Sequence, residues 1–290
     1  MAGTPGGLSA ERDYFLGTHD EELVRLGLQH RVWRETVIDC WRRAGIGAGA
    51  RVLDAGAGPG YAAADLAEIV GPSGSVVAVE RSARFVEAGR KMLADHGFGN
   101  VAWHEIDLMA DPLPGAGYDA AWCRWVACFV AEPAVLVDKI AAAVRPGGVA
   151  IFHEYLQYET LRIVPDCPCF GEFVHAVMVD WRASGGEPNV APAVFARLQE
   201  LGFSVREALP RVFCARPGEP AWQWPATFVD IHLRHQATTR GARPFASARG
   251  AVPFAAWADA VRAELAAAER NPAALMITPM VLEIVAAKPR

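Results

Sequence analysis

Short apolar runs alternate with amphipathic stretches between residues 51 and 153 of the chain. The apolar runs suit buried strands, which are predicted at residues 51–55, 76–80, 102–106, 119–123 and 149–153. Apolar positions recur at helical intervals between them, and the predicted helices span residues 61–70, 82–96 and 133–144. Strands and helices in alternation predict a parallel sheet that is covered by helices on both faces.

The pattern changes on either side of this segment. Residues 1–10 have the small, Gly-rich composition of a disordered tail, and residues 11–44 follow a helical pattern. Beyond residue 153, helices are predicted at residues 170–183, 193–201, 221–235 and 254–270, and strands at 203–215 and 280–286. The predicted organisation is therefore a tail (1–10), an N-terminal helical cap (11–49), an α/β core (50–155) and a remainder (156–290) that completes the sheet and carries helical insertions.

Composition and charge exclude several classes of partner. Apolar residues make up 52% of the 290-residue chain, which is enough for a sizeable core. The net charge is −5, only three lysines occur and the arginines are scattered, so neither a nucleic acid nor an anionic membrane is expected to bind. The six cysteines lack zinc-ligand spacing and predict reduced thiols in a cytoplasmic protein without a metal site. No secretory signal is found in residues 1–8, and no apolar run of about 18 residues predicts a membrane span.

The segment RVLDAGAGPG at residues 51–60 is the strongest candidate for a binding site. Asp54 ends its apolar run, and three glycines follow at alternate positions, namely Gly56, Gly58 and Gly60. Glycine adopts positive φ without cost and lets a ligand lie against the backbone. A loop between a strand's carboxyl end and a helix's amino end is where doubly wound sheets bind nucleotides. Tyr61 occupies the position of the last glycine in the dinucleotide fingerprint, which disfavours a nicotinamide cofactor.

The D-x-G-x-G-x-G spacing resembles the first motif of class I S-adenosylmethionine (SAM) dependent methyltransferases. Three further features match that family in order and spacing: Glu80 at the end of the second predicted strand, Asp107 after the third, and the turn RPGG at residues 145–148. The resemblance covers residues 11–155. It implies an α/β fold with a doubly wound, seven-stranded, mostly parallel sheet, N-terminal helices and a helical lid, whose last two strands form an antiparallel hairpin. It also implies SAM as cofactor and S-adenosylhomocysteine (SAH) as product.

The resemblance and the residue chemistry together predict a cofactor site. Glu80 is placed to accept hydrogen bonds from the ribose hydroxyls, although it could instead cap the helix that starts at Ser82. The resemblance implies that Asp107 meets the adenine amino group and that residues 118–130 cross beneath the methionine part of SAM. Tyr14, Gln29 and His30 belong to a segment like the family's pre-core helix, where packing roles are equally open. The predicted cofactor-binding residues are Tyr14, Gln29, Asp54, Gly56, Gly58, Gly60, Glu80, Arg81, Asp107, Leu108, Cys123 and Arg124.

The predicted catalytic residues are His153, Glu154 and Tyr155, at the end of the fifth predicted strand. They would project above the sheet near the transferred methyl, where a histidine could take a proton from the substrate. The alternative is that His153 only hydrogen-bonds a lid helix. The predicted lid carries six aromatic residues that could equally be core, namely Phe170, Phe173, Trp181, Trp222, Trp224 and Phe228. An aromatic lid would exclude water and suit an apolar or aromatic acceptor.

The expected function is methylation of a small metabolite on oxygen or nitrogen by in-line transfer, as in secondary metabolism. The expected partners are a small-molecule substrate and a second copy of the chain in a homodimer. An alternative is a SAM-binding protein of the same fold that catalyses a cyclisation or elimination. The intact glycine loop disfavours a non-catalytic binding protein. Tyr61 and the absence of a Tyr-x-x-x-Lys pair disfavour a nicotinamide-dependent oxidoreductase.

Overall fold

The computed structural model describes residues 20–240, 245–247 and 250–290. The tail predicted at residues 1–10 and the cofactor candidate Tyr14 lie outside the described residues. The described strands are β1 (Arg51–Ala55), β2 (Ser75–Glu80), β3 (Val101–Glu105), β4 (Tyr118–Arg124), β5 (Val144–Gln157), β6 (Arg162–Val164), β7 (Ser204–Arg211), β8 (Cys214–Ala215), β9 (Phe245–Ser247), β10 (Gly250–Val252), β11 (Leu275–Ile277) and β12 (Met280–Ala287). The described helices are α1 (Asp20–Arg43), α2 (Tyr61–Val70), α3 (Ala83–Asp95), α4 (Pro133–Ala143), α5 (Pro168–Ala183), α6 (Ala191–Glu200), α7 (Pro220–Arg240) and α8 (Phe254–Glu269).

Seven strands form the central sheet, in the order β3-β2-β1-β4-β5-β12-β7. The first five are mutually parallel, and β12 runs antiparallel to both β5 and β7. The predicted fold class is therefore confirmed, including the antiparallel pair at one side of the sheet. Because the chain order reverses between β1 and β4, a crevice opens there at the carboxyl ends of the strands.

The strand and helix that flank the glycine loop have the predicted bounds at both ends. Val52, Leu53 and Ala55 of β1 are completely buried because the strand lies inside a parallel sheet with cover on both faces. On α2, the apolar positions at helical spacing, such as Leu66 and Val70, are buried as well. The loop between them is thus held by two firmly packed elements.

The fifth strand is longer than predicted. It begins at Val144, directly after α4, and continues to Gln157. The RPGG segment forms a bend within the strand rather than a separate turn, with Gly147 at φ 75° donating its amide to the carbonyl of Lys288 at 3.0 Å. At the other end, the pairing of β5 with β12 extends as far as Gln157. His153 therefore lies inside the strand and not at its end.

The strand predicted over residues 203–215 is divided into two. β7 pairs with β12 in the central sheet, whereas β8 pairs with β11 in a small antiparallel sheet of order β6-β11-β8. The division follows from the partner segment, where Thr278 and Pro279 separate β11 from β12. Proline has no amide hydrogen to donate to a neighbouring strand, so the pairing is interrupted and both segments bend at this point. The Phe213 amide donates to Thr278 Oγ1 at 2.9 Å and holds the bend together.

Four helices, α1, α5, α7 and α8, contact one another in series and form a cap beside the central sheet. α1 packs against α2 and α7, and α5 packs against α8. Trp33 of α1 contacts Trp224 of α7, with ring centroids 5.6 Å apart, and Trp41 of α1 contacts Trp122 of β4 at 5.2 Å. α1 is therefore the element that joins the cap to the sheet. The domain boundaries at residues 49 and 155 stay predictions. In the described part of the chain, every helix is too short or too polar to cross a bilayer.

Candidate functional site

The glycine loop between β1 and α2 fits its surroundings only because it lacks side chains. Gly56 has φ 78°, and a Cβ there would lie 2.3 Å from Cγ2 of Val126. Gly60 has φ 86°, and its Cβ would lie 2.7 Å from the Trp103 ring. Both positions therefore combine a left-handed backbone with a close neighbour. The loop lies directly against the segment that follows β4.

A large cleft of about 1420 Å³ opens beside the loop, at the carboxyl ends of β1, β2, β3 and β4. Most of the predicted cofactor residues line it, which brings together Gln29, Asp54, Gly56, Gly58, Glu80, Arg81, Asp107, Leu108 and Arg124. Gly60 and Cys123 do not line it, because Gly60 packs on Trp103 and the Cys123 side chain is completely buried in β4.

The Glu80 carboxylate is held at the edge of this cleft by backbone amides. Oε2 accepts from Gly58 at 3.0 Å, and Oε1 accepts from Arg81 and Ser82 at 2.9 Å each. Burial raises the pKa of Glu80, and the three amide hydrogen bonds oppose that rise. The cap of α3 is the Ser82 side chain, which accepts from the Phe85 amide at 3.3 Å. Glu80 thus anchors the glycine loop and still faces the cleft.

Two groups of opposite charge meet at one end of the cleft. Burial raises the pKa of Asp54 to about 7, whereas the nearby Arg124 lowers it. Burial also lowers the pKa of Arg124 to about 10. Asp54 Oδ2 and Arg124 Nη1 are buried and have no hydrogen-bond partner among the described residues. Buried polar atoms are rarely left in this state, so both are candidates to contact a ligand.

A small aromatic pocket of about 40 Å³ adjoins the cleft. We define the aromatic pocket by its seven rings, Trp125, Phe129, Tyr155, Tyr158, Trp181, Trp224 and Phe228. Trp125 stacks between Tyr155 and Trp224, with ring centroids 5.6 Å and 5.7 Å away. Gln29, Trp125 and Phe129 line both the aromatic pocket and the cleft. The two cavities therefore meet at these residues.

The three predicted catalytic residues occupy three different environments. Tyr155 lines the aromatic pocket. His153 lines neither cavity, because β5 continues beyond it. Its ring is completely buried beside Trp33 and Trp122, and Nε2 lies 2.9 Å from Glu283 Oε2. Burial lowers the pKa of His153, although the hydrogen bond to Glu283 opposes this. The expectation that His153 reaches the transferred methyl is corrected by this placement.

Glu154 is also completely buried, and it lines neither cavity. Its Oε1 accepts from the amides of Val126 and Ala127, both at 2.9 Å. Burial raises the pKa of Glu154 to about 7, against the lowering effect of these hydrogen bonds. Glu154 therefore holds the loop after β4, which includes Trp125, rather than reaching a substrate.

The predicted lid aromatics divide between pocket and core. Trp181, Trp224 and Phe228 line the aromatic pocket, whereas Phe170, Phe173 and Trp222 are completely or almost completely buried. Several residues that line the aromatic pocket carry no signal in the sequence, namely Arg25, Tyr158, Leu161 and Pro279. Periodicity places a residue on one face of its own element, but it says nothing about which distant element that face meets.

Comparison with known proteins agrees with this geometry. The family model described as a methyltransferase domain matches residues 52–148, which contain the glycine loop, Glu80, Asp107 and β4. The chain is 31% identical over 135 residues to a ubiquinone/menaquinone biosynthesis C-methyltransferase of Hahella chejuensis, a match that covers 46% of this chain and 53% of the relative. A C-methyltransferase of the same name from Ectopseudomonas oleovorans is 30% identical over 126 residues, covering 43% of this chain and 72% of that protein.

The chain spans about half the length of most of the curated relatives it matches. Among solved structures, the [4+2]-cyclase SpnF shares the fold with a TM-score of 0.51 and 18% sequence identity, over 88% of this chain and 80% of that protein. The fold, the glycine loop and the identity to the Ectopseudomonas oleovorans protein point to one family. The chain belongs to the class I SAM-dependent methyltransferases.

Proposed function

We propose that the chain transfers a methyl group from SAM to a small aromatic or apolar acceptor that is bound in the aromatic pocket. The observation that carries this proposal is the junction of the two cavities at Gln29, Trp125 and Phe129. A cofactor in the cleft and a flat acceptor in the aromatic pocket would meet there. Methyl transfer needs little besides such an in-line approach of the two reactants.

The cleft offers a group for each part of SAM. Glu80 is held by three amides and keeps oxygen lone pairs for the ribose hydroxyls. Asp107 and Leu108 line the cleft beyond β3, where the adenine is expected. The glycine loop would approach the sugar and the amino acid part through its backbone.

The amino acid part of SAM is a zwitterion, and the end of the cleft is charged to match it. Arg124 Nη1 would donate to the carboxylate, and Asp54 Oδ2 would accept from the ammonium group. Both atoms are buried without a hydrogen-bond partner within the described ranges. A buried pair of opposite charges gains most when each member also acquires a hydrogen bond. SAM therefore supplies what these two side chains lack.

The aromatic pocket supplies the acceptor side. Its seven rings favour stacking with a flat substrate and keep water away from the reacting atoms. When bound, SAM presents a methyl group on a positively charged sulfonium. Tyr155 is the catalytic residue we propose, because its side chain lines this pocket while His153 and Glu154 do not. Its hydroxyl would orient the acceptor atom or take part in removing its proton.

The relatives named above are described as C-methyltransferases of ubiquinone/menaquinone biosynthesis. Carbon is therefore tested as the methylated atom, besides oxygen and nitrogen. Purified protein would be incubated with methyl-labelled SAM and a panel of phenols, quinols and aromatic amines. Labelled product together with SAH supports the proposal. SAM binding with product formation but no SAH would instead indicate the cyclisation or elimination that the family fold also permits.

With an active acceptor in hand, Tyr155→Phe is expected to lower kcat about 100-fold and to leave the Kd of SAH unchanged. Tyr118→Phe is the matched control, because Tyr118 begins β4 at the opposite end of the sheet from the cleft. Equal kcat in Tyr155→Phe and the wild type would remove Tyr155 from the reaction.

A further inference from the structure

We infer that His30, held by Asp65, is a positioning residue that fixes the Arg124 guanidinium for the carboxylate of the cofactor's amino acid part. The inference rests on the proposed function, because it concerns how the same cleft recognises SAM. Neither the glycine motif nor the family match at residues 52–148 includes His30. Its place in the site comes from α1 folding over α2.

The chain of contacts begins at Asp65 on α2. His30 Nε2 lies 2.9 Å from Asp65 Oδ2, and Arg34 donates to the same carboxylate through Nε at 3.0 Å and Nη2 at 2.8 Å. Although burial raises it, the hydrogen bonds from His30 and Arg34 lower the pKa of Asp65 overall. Asp65 is therefore ionised and accepts hydrogen bonds from both neighbours.

An ionised Asp65 decides which nitrogen of His30 carries the proton. Arg124 can only donate, so the ring that faces it keeps one unprotonated nitrogen and has one N–H group, and burial, which lowers the pKa of His30, favours the same neutral form. Because a carboxylate only accepts, that N–H group is at Nε2, and Nδ1 keeps its lone pair. Arg124 Nη2 lies 3.3 Å from Nδ1 and donates to it. Arg124 thus donates to Nδ1 of His30, and Nε2 of His30 donates to Asp65.

The remaining contacts of Arg124 leave one side of the guanidinium for a ligand. The group lies over the rings of Trp122 and Trp125, with its carbon 5.8 Å and 5.0 Å from the ring centroids. Nη1 is buried and has no hydrogen-bond partner in the described part of the chain, while the residue lines the cleft. Fixing an arginine side chain costs rotamer entropy. Because His30 already holds Arg124, part of that entropy would be lost before the ligand binds, and binding would be less opposed by it.

Tyr61 completes the support of the ring. It stacks on His30 with centroids 5.8 Å apart, and its hydroxyl donates to the Leu23 carbonyl at 3.1 Å. His30 is only 6% exposed, so water has little access to the contact between Nδ1 and Arg124. The residue that excluded the dinucleotide fingerprint therefore packs against the residue that orients Arg124.

The test compares two ligands by calorimetry. SAH carries the amino acid, whereas methylthioadenosine keeps the adenosine and the sulfur but has no carboxylate. His30→Gln can still donate to Asp65 but has no acceptor at the position of Nδ1, and we expect it to bind SAH about tenfold more weakly. Its affinity for methylthioadenosine is expected to equal that of the wild type. His30→Asn, which places its side-chain oxygen near the position of Nδ1, is expected to recover part of the SAH affinity.

Two further variants serve as controls. Asp65→Asn tests the same link from the other side, since an amide permits either tautomer of His30, and it is expected to lose SAH affinity selectively as well. Arg34→Ala removes only the outer and more exposed partner of Asp65, and its ligand affinities are expected to stay unchanged. Thermal unfolding of each variant shows whether its fold is intact.

The outcomes separate this inference from the function on which it rests. Wild-type protein that binds neither ligand overturns the proposed function. Wild-type protein that binds SAH more tightly than methylthioadenosine, with a preference that survives in His30→Gln and Asp65→Asn, overturns only the role of His30. Equal weakening of both ligands would identify His30 as a structural residue and would also overturn the inference.

Discussion

Three of the carboxylates that line the cleft were predicted to bind the cofactor, and their surroundings give them different properties. Asp54 is buried beside Arg124, Glu80 accepts from three amides, and Asp107 accepts from the Met109 amide at 2.8 Å. Of these, Glu80 is the best fixed, because one amide of the glycine loop and two amides directly before α3 hold it. A fixed acceptor recognises a pair of hydroxyls more strongly than a mobile one.

Glu80→Ala is expected to weaken SAH binding about 100-fold, because it removes two hydrogen bonds to a charged acceptor. Isothermal calorimetry measures the Kd directly. Glu68→Ala, at an exposed position of α2, is the matched control and is expected to bind SAH like the wild type. A Glu80→Ala variant with unchanged affinity would show that the ribose is bound elsewhere.

The residues of the cleft could be predicted where they belong to a local motif or to the order of features that the family shares. Asp54, Gly56 and Gly58 follow one another along the loop, so their spacing alone brings them to one edge of the sheet. His30 and Asp65 are 35 residues apart on different helices, and each fits the pattern of its own helix without the other. Their contact depends on how α1 crosses α2, which side-chain packing decides.

Among the elements, the loop after β4 has the most demanding backbone. Trp125 has φ 51°, a left-handed conformation that costs a residue with a side chain of order 1–3 kcal/mol. Its amide donates to the His153 carbonyl at 2.9 Å, and Glu154 accepts the next two amides. β5 thus imposes the conformation that turns Trp125 toward both cavities.

Two substitutions of Glu154 distinguish the effect of its charge from its role as a hydrogen-bond acceptor. Glu154→Gln keeps an oxygen that can accept from Val126 and Ala127, so we expect its free energy of unfolding to stay close to that of the wild type. Glu154→Ala leaves the part-buried Val126 amide and the buried Ala127 amide without this acceptor, and we expect a loss of about 1–3 kcal/mol for a buried unsatisfied group, together with weaker SAH binding. Urea unfolding and calorimetry test the pair, and equal stability of the two variants would contradict this role.

The bounds of an element could be predicted where its own apolar pattern decides them. The predicted bounds were wrong where they depend on how far the partner strand extends. β1 and α2 match their predicted ranges because buried residues recur along each up to its ends beside the glycine loop. The alternation over residues 203–215 is equally regular, yet the strand divides because Pro279 lies in the segment that pairs with it. In the same way, β5 extends beyond residue 153 because β12 offers partners as far as Met280.

At the scale of the whole molecule, a buried charge network ties α1 to the last three strands of the sheet. Glu283 on β12 lies next to His153 on β5, accepts from Arg211 of β7 at 2.9 Å and pairs with Arg43 of α1. Burial raises the pKa of Glu283, but His153 and Arg211 lower it to about 2 overall. Arg43 and Arg211 are the permanent cations that balance Glu283.

This network gives the folding stability a pH dependence. Because the pKa of His153 in the folded state lies below its ordinary value of 6.5, the unfolded chain binds a proton that the folded chain does not, and stability falls as the pH drops below 6.5. Above pH 6.5 His153 is neutral in the folded and the unfolded chain, so it no longer lowers the stability. Glu283 contributes in the same direction only below its ordinary value of 4.5.

We expect the free energy of unfolding to fall by up to about 1.4 kcal/mol per pH unit through His153 in this window. His153→Asn is expected to be less stable at neutral pH but to show a slope that is shallower by that amount. Urea unfolding at about pH 7.5 and about pH 5.5 measures both slopes. Identical slopes in the variant and the wild type would contradict this assignment, since His30 and the other histidines are common to both.

The position of β12 between β5 and β7 has a consequence for how the chain is made. The contact between His153 and Glu283 spans 130 residues, and among the described strands β7 pairs in the central sheet with β12 alone. During synthesis, β7 leaves the ribosome with an unpaired edge and stays so until α7, α8 and β12 have followed. Contacts of such long range slow folding and expose apolar edges to aggregation. The parallel half of the sheet, which carries the cleft, can form before β7 is paired. A ligand bound in the cleft would stabilise this partly folded protein until β12 has been synthesised.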